Sequence, residues 1–323
     1  MEQVPSALVL GATGGVGGEI ARALLRRGWH IRALVREPAR RKLRADIEWL
    51  AGDAMNASDV ADAARGMEVI VHAVNPPGYR DWDKLVLPMI DHTIAAARAS
   101  DARIVLPGTV YNYGPDAPPL LAEDAPQQPL TRKGAIRVEL ERRLQQAASE
   151  GVRSLILRCG DFFGPRTGNN WFAAMIKRGR RPRAISYPGR PTLPHAWAYL
   201  PDVGETMARL LEREHALAAF ERFHFGGHQV DGHTMAAAIR RAIGNPDLPL
   251  RAFPWWLTTL AAPFVTLFRE LREMRYLWQT PLQMDNRKLL HLLGSEPHTP
   301  LHEAVATTLH AAGRTDHTGT LPT

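Results

Sequence analysis

A glycine-rich turn that follows the first apolar run constrains the fold of this chain more than any other feature. Residues 7–10 read ALVL and lead straight into GATGGVGG, in which glycines recur at three-residue spacing. Residues without a Cβ allow a sharp turn and a close approach of the backbone to a ligand, and a helix beginning near residue 15 would offer free N–H groups to a phosphate. The pattern predicts a strand, a turn and a helix N-terminus that bind the pyrophosphate of a dinucleotide through Gly11, Thr13, Gly14, Gly15, Val16 and Gly17.

Alternating strand and helix patterns follow, and they distinguish a nucleotide site from an ordinary glycine loop. A helical pattern over residues 19–27 stops at Gly28, and an apolar run at 31–35 completes a β-α-β unit. We therefore predict an α/β fold with a Rossmann-type doubly wound parallel sheet, in which residues 1–160 bind the cofactor. Residues 161–313 are expected to form a smaller, mainly substrate-binding part interleaved with the core. Further strands are predicted at 47–50, 69–74, 103–106 and 152–158, and helices beginning within 52–60 and spanning 83–100 and 132–148.

The end of the second strand indicates which dinucleotide binds. A chain that prefers NAD carries an acidic residue about 20 residues beyond the glycines, where it binds the ribose 2′-hydroxyl. This chain instead has Arg36, and a guanidinium can bind a 2′-phosphate, so we predict NADP(H) as the cofactor. Arg40, Arg41 and Arg44 are neighbouring alternatives for this role. The other residues predicted to bind the cofactor are Asp53 and Ala54 near the adenine, and Ala73, Val74 and Asn75 near the ribose.

Composition narrows the function classes. The net charge is +7, but the basic residues alternate with acidic ones and no zinc-ligand or aromatic RNA-binding motif accompanies them, so we expect no nucleic-acid partner. The single cysteine, Cys159, excludes an internal disulfide framework, and no charged leader precedes the first strand. We expect a cytoplasmic protein with a small-molecule substrate and no metal site.

Four further segments accompany GATGGVG in a fixed order: GD at 52–53, GTVYNYGP at 108–115, LRCGDFFGP at 157–165 and HAWAYLPDVGETMARLL at 195–211. Together they resemble the extended and atypical branch of the short-chain dehydrogenase/reductase superfamily, which includes nucleotide-sugar epimerases, dehydratases and isoflavone-reductase-like enzymes. The resemblance covers nearly the whole chain. It implies an NAD(P)H-binding enzyme whose late segment lies beside the substrate pocket.

The catalytic motif of that superfamily is altered here. The resemblance assigns Thr109 to the Ser or Thr that holds the reacting oxygen, but the Tyr-x-x-x-Lys of the next helix is missing. Alignment on Glu141 puts Lys133 at the tyrosine position and Arg137 at the lysine position. Arg137 can donate hydrogen bonds to a ribose, although a guanidinium does not deprotonate in proteins. Lys133, one turn earlier, would be repelled by that charge, which favours release of its proton as a general acid requires.

Other interpretations of this region stay open. The segment TRKGAIRVELERRL also fits a solvated helix start with Thr131 as its N-cap. Tyr111 and Tyr113 on the preceding loop are other candidate proton donors, and either could equally be a ring packed against the sheet edge.

Residues after position 160 are expected to contact the substrate. Asp161 stands where the superfamily commonly has Asn, and Arg166, Asn169 and Asn170 precede Trp171 in a loop that offers polar groups beside an aromatic wall. Helix capping by Asn170 and a structural role for the histidine at 195 are the alternatives, and Asp202 is the predicted cap of the helix that follows. The predicted substrate-binding residues are Asp161, Asn170, Trp171, His195 and Trp197.

An apolar run at 253–268 is too short for a membrane span, which needs about 20 residues, and Pro263 interrupts it. We predict that the hydrophobic helical segment 253–278 forms a lid or a homodimer face. Contact of residues 253–275 with a membrane surface is the alternative, because Trp255 and Trp256 precede arginines at 269, 272 and 275. Residues 314–323 are predicted to be a disordered tail.

Two functional classes follow from these patterns. The first is an NADP(H)-dependent oxidoreductase that moves a hydride between the nicotinamide and a small organic carbonyl, alcohol or activated double bond, with Lys133 and Arg137 in place of Tyr and Lys. The second is a catalytically silent NADP-binding sensor or regulatory protein. Nucleotide-sugar epimerase or dehydratase chemistry is a third class, weakened because it relies on the missing tyrosine.

Overall fold

A seven-stranded parallel sheet forms the centre of the protein. The computed structural model describes residues 4–40, 44–76, 81–167, 170–176, 182–261 and 272–313. The strands are β1 (Ser6–Leu10), β2 (His30–Val35), β3 (Glu48–Ala51), β4 (Val69–His72), β5 (Arg103–Thr109), β6 (Leu120–Leu121), β7 (Ser154–Cys159), β8 (Asp161–Phe163), β9 (Ile185–Tyr187), β10 (His195–Tyr199), β11 (Phe220–His224), β12 (His228–Val230), β13 (Leu250–Ala252) and β14 (Gln283–Met284). The helices are α1 (Gly15–Arg26), α2 (Ala57–Ala64), α3 (Trp82–Ser100), α4 (Arg132–Ser149), α5 (Trp171–Met175), α6 (Leu200–Leu211), α7 (Gly232–Ile243), α8 (Trp255–Ala261), α9 (Arg287–Leu293) and α10 (Leu301–Ala311).

The order across the central sheet is β11-β7-β5-β4-β1-β2-β3, and each of these pairings is parallel. Helices α1 and α6 pack on one face, and α2, α3 and α4 pack on the other. Because both faces are covered, β1, β4 and β7 are buried along their whole length and consist largely of apolar residues. This is the Rossmann-type doubly wound α/β fold that the sequence predicts.

The register of the central strands brings their carboxyl ends to one edge of the sheet. Leu10, the last residue of β1, pairs with Leu34 of β2 on one side and with His72 of β4 on the other. The chain runs outward in opposite directions from this point, through β2 and β3 and through β4 and β5. Such a switch point leaves a crevice between the loops that leave adjacent strands, and ligands bind there.

The chain beyond residue 160 returns to the core and also builds a smaller part beside it. Strand β11 extends the sheet next to β7, and α6 packs against α1. The smaller part contains a three-stranded sheet, β12-β10-β8, and two-stranded pairs β13-β9 and β14-β6. Its core is rich in aromatic residues, which include Phe163, Phe172, Tyr187, Trp197 and Trp278.

The prediction that Asp202 caps α6 is wrong. Tyr199 is the N-cap, and Asp202 lies in the first helical turn. Pro201 already occupies that turn, where its missing N–H needs no acceptor. The carboxylate of Asp202 instead accepts hydrogen bonds from the N–H and the hydroxyl of Thr299, both at 2.7 Å, and so ties α6 to the segment before α10.

The apolar segment begins with a half-buried tryptophan that is anchored by a hydrogen bond. The indole Nε1 of Trp255 donates to the carbonyl oxygen of Pro188 at 2.8 Å, whereas Trp256 and Leu257 are exposed. None of the described helices is long and apolar enough to cross a membrane. Residues 262–271 and 314–323 lie outside the described residues, as do Arg41 and Asn169, so the predicted lid, dimer face and tail are described only in part or not at all.

Candidate cofactor and active site

The glycine turn is built from backbone contacts that leave no room for side chains. Gly11 has a φ of +91°, and a Cβ there would lie 2.4 Å from the carbonyl oxygen of Ala73. A Cβ on Gly17 would lie 2.5 Å from the carbonyl oxygen of Gly11, so α1 can start this close to β1 only with glycine at that position. Gly14 is the N-cap and makes no side-chain hydrogen bond, and the first turn of α1 has no acidic residue. The N–H groups and positive dipole end of α1 are therefore available to an anion.

A cavity of about 640 Å³ opens at this turn and extends past the carboxyl ends of β2, β4 and β5. Its volume is in the usual range for a site that binds an organic cofactor or substrate. All residues predicted to bind the cofactor line it except Gly17, namely Gly11, Thr13, Gly14, Gly15, Val16, Arg36, Asp53, Ala54, Ala73, Val74 and Asn75.

Arg36 directly follows β2 and Asp53 lies just after β3, so both line the end of the cavity next to these two strands. Arg36 is exposed, and it makes no hydrogen bond or ion pair with any other described residue. Asp53 is held in place locally, because its N–H donates to Oδ2 of Asp59 at 2.8 Å and its Oδ1 accepts from the N–H of Met55 at 3.0 Å. An exposed guanidinium that makes no ion pair with a described residue can bind an anionic group at this end of the cavity.

The opposite end of the cavity brings together residues from four separate elements. The Oγ1 of Thr109 accepts a hydrogen bond from the N–H of Tyr111 at 3.3 Å. Asn170 caps α5, as its alternative role predicts: its Oδ1 accepts from the N–H of Ala173 at 2.7 Å, and its buried Nδ2 has no hydrogen-bond partner among the described residues. The predicted catalytic and substrate residues that line this end are Thr109, Tyr111, Arg137, Asp161, Asn170 and Trp171.

Lys133 is not among the described residues that line the cavity. The first turn of α4 packs closely against the preceding segment, where a Cβ on Gly134 would lie 2.2 Å from the carbonyl oxygen of Tyr111. Lys133 is 3% exposed as a result. Thr131 caps the helix by accepting from the N–H of Gly134 at 3.0 Å, as the alternative interpretation predicts. The structure gives no support to Lys133 as a group that faces the reacting atoms.

Tyr113 is also outside the cavity lining. Its side chain is fully buried, its hydroxyl accepts a hydrogen bond from Nη1 of Arg158 at 2.7 Å, and burial raises the pKa of Tyr113 to about 12. The carbonyl oxygen of Tyr113 accepts from the hydroxyl of Tyr276 at 2.7 Å. Tyr113 therefore matches the packed-ring interpretation, which leaves Tyr111 as the tyrosine of this loop that reaches the cavity.

His195 and Trp197 lie behind Asp161 and do not line the main cavity. The Nε2 of His195 is 2.7 Å from Oδ2 of Asp161, and its ring stacks on Trp278 with the centroids 3.7 Å apart and the planes 8° from parallel. Trp197 is buried and meets the His195 ring edge-on at 5.1 Å. His195 thus orients Asp161, and Asp161 itself lines the cavity.

His72 is a cavity residue that the sequence analysis missed. It is the last residue of β4, where its Nδ1 lies 2.8 Å from the Oγ1 of Thr93. That hydroxyl also bonds to the carbonyl oxygen of Met89, which can only accept, so it accepts from the Nδ1–H of His72 and leaves Nε2 as an acceptor. Burial and the nearby Arg137 lower the pKa of His72 to about 3. The sequence does place His72 at the end of a predicted strand, in VIVHAV, where ligands bind in such sheets. The apolar residues around it indicate only a buried strand, so this histidine was not predicted to reach the cavity.

Trp82, the first residue of α3, also lines the cavity. The sequence does not predict this, because the position of Trp82 depends on how α3 packs against the sheet. The guanidinium of Arg137 lies 5.0 Å from the centre of the Trp82 ring. Arg137 is thus near both Trp82 and His72 in the wall of the cavity.

Residues 7–226 match the NAD dependent epimerase/dehydratase family. A curated relative, 3-diazoavenalumate denitrifying reductase from Streptomyces sp, is 36% identical over 179 residues, which is 50% of this chain and 57% of the relative. The chain therefore spans little more than half the length of that relative.

Two of the solved structures that share the fold at low identity are epimerases by name. UDP-galactose 4-epimerase has a TM-score of 0.74 at 19% identity and covers 96% of this chain and 99% of its own. UDP-glucuronic acid 4-epimerase from Bacillus cereus in complex with NAD has a TM-score of 0.75 at 18% identity, with the same coverage.

The family match covers more than half of the chain and includes the glycine turn, the cavity and the first strands of the substrate side. The chain belongs to the NAD dependent epimerase/dehydratase family.

Proposed function

We propose that this protein is an NADP(H)-dependent oxidoreductase that transfers a hydride between the nicotinamide and a small organic carbonyl, alcohol or activated double bond. The observation that carries the proposal is one continuous cavity with a phosphate-binding turn and Arg36 at one end, and Thr109, Asp161 and Trp171 at the other. A dinucleotide and a small acceptor can share such a space.

The residues present fit the cofactor. A Cβ on Gly14 would contact only the carbonyl oxygen of Gly11, at 3.2 Å. The other side of Gly14 lines the cavity. A pyrophosphate can therefore approach the N–H groups of α1 at this position. Arg36 would bind the 2′-phosphate, and Arg137 would donate hydrogen bonds to the nicotinamide ribose. When bound, the nicotinamide supplies or accepts the hydride.

The chain itself would hold and orient the acceptor. Trp171 is fixed by ring contacts with Trp278 at 5.3 Å and Trp255 at 5.7 Å, and so offers a rigid apolar wall. The hydroxyls of Thr109 and Tyr111 could hold an oxygen of the acceptor, and Tyr111 takes over the proton-donor role first considered for Lys133. Fixed geometry of this kind lowers the barrier mainly by orientation.

Reduction is favoured over epimerisation by the altered helix motif and by the name of the curated relative. Epimerisation of a sugar relies on a proton acceptor at position 133, where this chain has a buried lysine outside the cavity lining. The relative is named as a reductase of a diazo compound, and this supports a reductive role for the present chain. The solved structures that are named as epimerases share only the fold with this chain, so their names do not indicate its activity.

The test is a measurement of cofactor choice followed by an acceptor screen. We expect NADPH to bind at least about tenfold more tightly than NADH, equivalent to about 1.4 kcal/mol, and Arg36→Ala to narrow that difference. Arg44→Ala tests the neighbouring alternative, and we expect it to leave the ratio unchanged, because Arg44 is ion-paired with Asp46 and is not among the described lining residues. Equal affinity for the two cofactors in the wild type would refute the NADP(H) assignment.

NADPH oxidation is then followed with ketones, enones, imines and nucleotide sugars. Turnover of a small acceptor supports the oxidoreductase. Tight NADPH binding without turnover of any member favours the sensor. Epimerisation of a nucleotide sugar consumes no NADPH, so the sugars are also analysed by chromatography, and a new isomer favours an epimerase.

A further inference from the structure

The wall of the cavity contains a carboxylate, that of Asp161, whose orientation is fixed by its neighbours. Asp161 begins β8, directly opposite Trp197 of β10, and it is 9% exposed. Its Oδ2 accepts from Nε2 of His195, whose ring is clamped flat against Trp278. Its Oδ1 has no hydrogen-bond partner among the described residues, although Asp161 lines the cavity. The Asp161–His195 pair therefore presents one oriented oxygen, Oδ1, to a ligand at the end of the cavity lined by Thr109, Asp161 and Trp171, which we call the acceptor end.

A buried carboxylate with an uncommitted oxygen is costly unless a ligand completes it. Desolvation of a charge is compensated only by a partner of opposite charge or by hydrogen-bond donors. His195 satisfies one oxygen from behind and leaves the other as an acceptor in either protonation state of the ring. Among the described residues Asp161 is the acidic group at this end of the cavity, whereas Asp53 lies with Arg36 at the other end. A cationic ligand thus gains most at Asp161.

The apolar surroundings favour a flat ligand. Trp171 lines the cavity beside Asp161 and Phe162, and its own ring is braced by Trp278 and Trp255. Indole faces attract cations through the ring quadrupole as well as packing against aromatic rings. A planar cation conjugated with an aromatic ring satisfies both the carboxylate and this wall.

The altered helix motif agrees with such an acceptor. Reduction of a neutral carbonyl needs a proton as well as a hydride. Arg137 cannot release a proton and Lys133 is not among the described lining residues, so Tyr111 remains as the candidate donor at this end. Reduction of an iminium ion needs the hydride alone: the new C–H bond takes the hydride electron pair, and the C=N π pair moves to nitrogen, which becomes a neutral amine. In an arenediazonium ion the hydride forms the C–H bond while the C–N bond breaks and N₂ leaves.

We propose that the site takes a planar nitrogen cation conjugated with an aromatic ring as its hydride acceptor, and that Asp161 binds the positive charge of that cation. This inference rests on the proposed oxidoreductase function and specifies its substrate class. Asp161 thereby acts as a specificity-determining residue, with His195 and Trp278 as positioning residues behind it.

Binding is tested first, in protein saturated with 1,4,5,6-tetrahydro-NADP, whose reduced ring is neutral like that of NADPH and transfers no hydride. The probes are N-methyl-3,4-dihydroisoquinolinium and its neutral carbon isostere, 2-methyl-3,4-dihydronaphthalene, titrated by calorimetry. We expect the cation to bind at least about tenfold more tightly, and Asp161→Asn to remove that preference while leaving the affinities for the isostere and for 1,4,5,6-tetrahydro-NADP within about twofold of wild type. Asp62→Asn, which removes an exposed carboxylate outside the cavity lining, should keep the preference for the cation.

A second variant keeps the test decisive. If Asp161→Asn unfolds, His195→Gln is used, and it should weaken the preference for the cation without affecting the isostere. Equal affinity for cation and isostere in the wild type, or an unchanged preference in a folded Asp161→Asn, would overturn the inference.

Turnover separates this inference from the proposed function. NADPH oxidation with the iminium ion and with 1-tetralone should give a higher kcat/KM for the cation, and benzenediazonium should release N₂ with NADPH consumption. Turnover of 1-tetralone without preference for the cation overturns the substrate class but keeps the oxidoreductase. Binding of the cation through Asp161 without NADPH oxidation overturns the oxidoreductase while the cation site stands.

Discussion

At the scale of single residues, Gly14 and Gly17 have different physical roles in the same turn. A Cβ on Gly14 has only one protein contact below 3.4 Å and points to open cavity, whereas a Cβ on Gly17 would clash with the backbone of Gly11. We therefore expect Gly14→Val to abolish NADPH binding with little change in melting temperature, because the new side chain occupies the pyrophosphate space.

The contrasting variant is Gly17→Ala, which should lower the melting temperature as well as the affinity, since the backbone of the turn must move. Fluorescence titration with NADPH and thermal unfolding measure both quantities. A Gly14→Val protein that binds NADPH with wild-type affinity would place the pyrophosphate elsewhere.

At the scale of elements, a buried ion pair holds the second half of the sheet to α4. Arg158 at the end of β7 donates through Nη2 to Glu141 at 2.6 Å, and through Nη1 to the hydroxyl of Tyr113 at 2.7 Å and to Nε2 of His224 at 3.2 Å. Arg158 is fully buried. The network joins α4, β7, β11 and the segment after β5 that carries Tyr111 and Tyr113, so the end of the cavity that Tyr111 lines depends on it.

Glu141→Ala should destabilise the protein by about 3–5 kcal/mol, because it leaves the buried guanidinium of Arg158 without its counter-charge. Glu139→Ala is the matched control on the same helix. Glu139 pairs with Arg142 and Arg143 at the surface, and such pairs are worth about 0–1 kcal/mol. Urea unfolding of the two variants provides the comparison, and equal destabilisation by both would contradict the assigned role of the Arg158 network.

Sequence reasoning succeeds where local pattern decides the structure and fails where packing between distant segments decides it. The strands that carry Gly11 and Arg36 follow from apolar runs and glycine stops, and the residues at their ends reach the cavity because parallel strands end at one edge. Lys133 shares a helix face with Arg137, yet only Arg137 reaches the cavity, because the segment at Tyr111 covers the first turn of α4. His195 depends on Trp278, which is distant in sequence, and no periodicity predicts their stacking.

At the scale of the whole molecule, three buried histidines make stability depend on pH. Burial, assisted by nearby Arg137, Arg158 and His298 respectively, lowers the pKa of His72 to about 3, of His224 to about 3 and of His228 to about 4. In the unfolded chain a histidine has a pKa near 6.5, so below that pH the unfolded state binds more protons than the folded state. The free energy of unfolding should therefore be level above about pH 7 and fall as the pH decreases from about 6.5 towards 4.

His72→Gln tests this dependence, since a glutamine amide can still donate to Thr93 but does not titrate. Each histidine that stays neutral in the folded state adds up to about 1.36 kcal/mol per pH unit to the slope below pH 6.5, so the variant should lose about that much of the slope between pH 6 and 5. The exposed His233→Gln is the control and should keep the full slope. Carboxylates held at low pKa, such as Glu139 and Glu205 at about 2, lose their contribution mainly below about pH 4.5, which lies outside the comparison between pH 6 and 5. Urea unfolding at pH 7.5, 6 and 5 measures the slope, and an undiminished slope in His72→Gln would show that His72 is not held neutral in the folded protein.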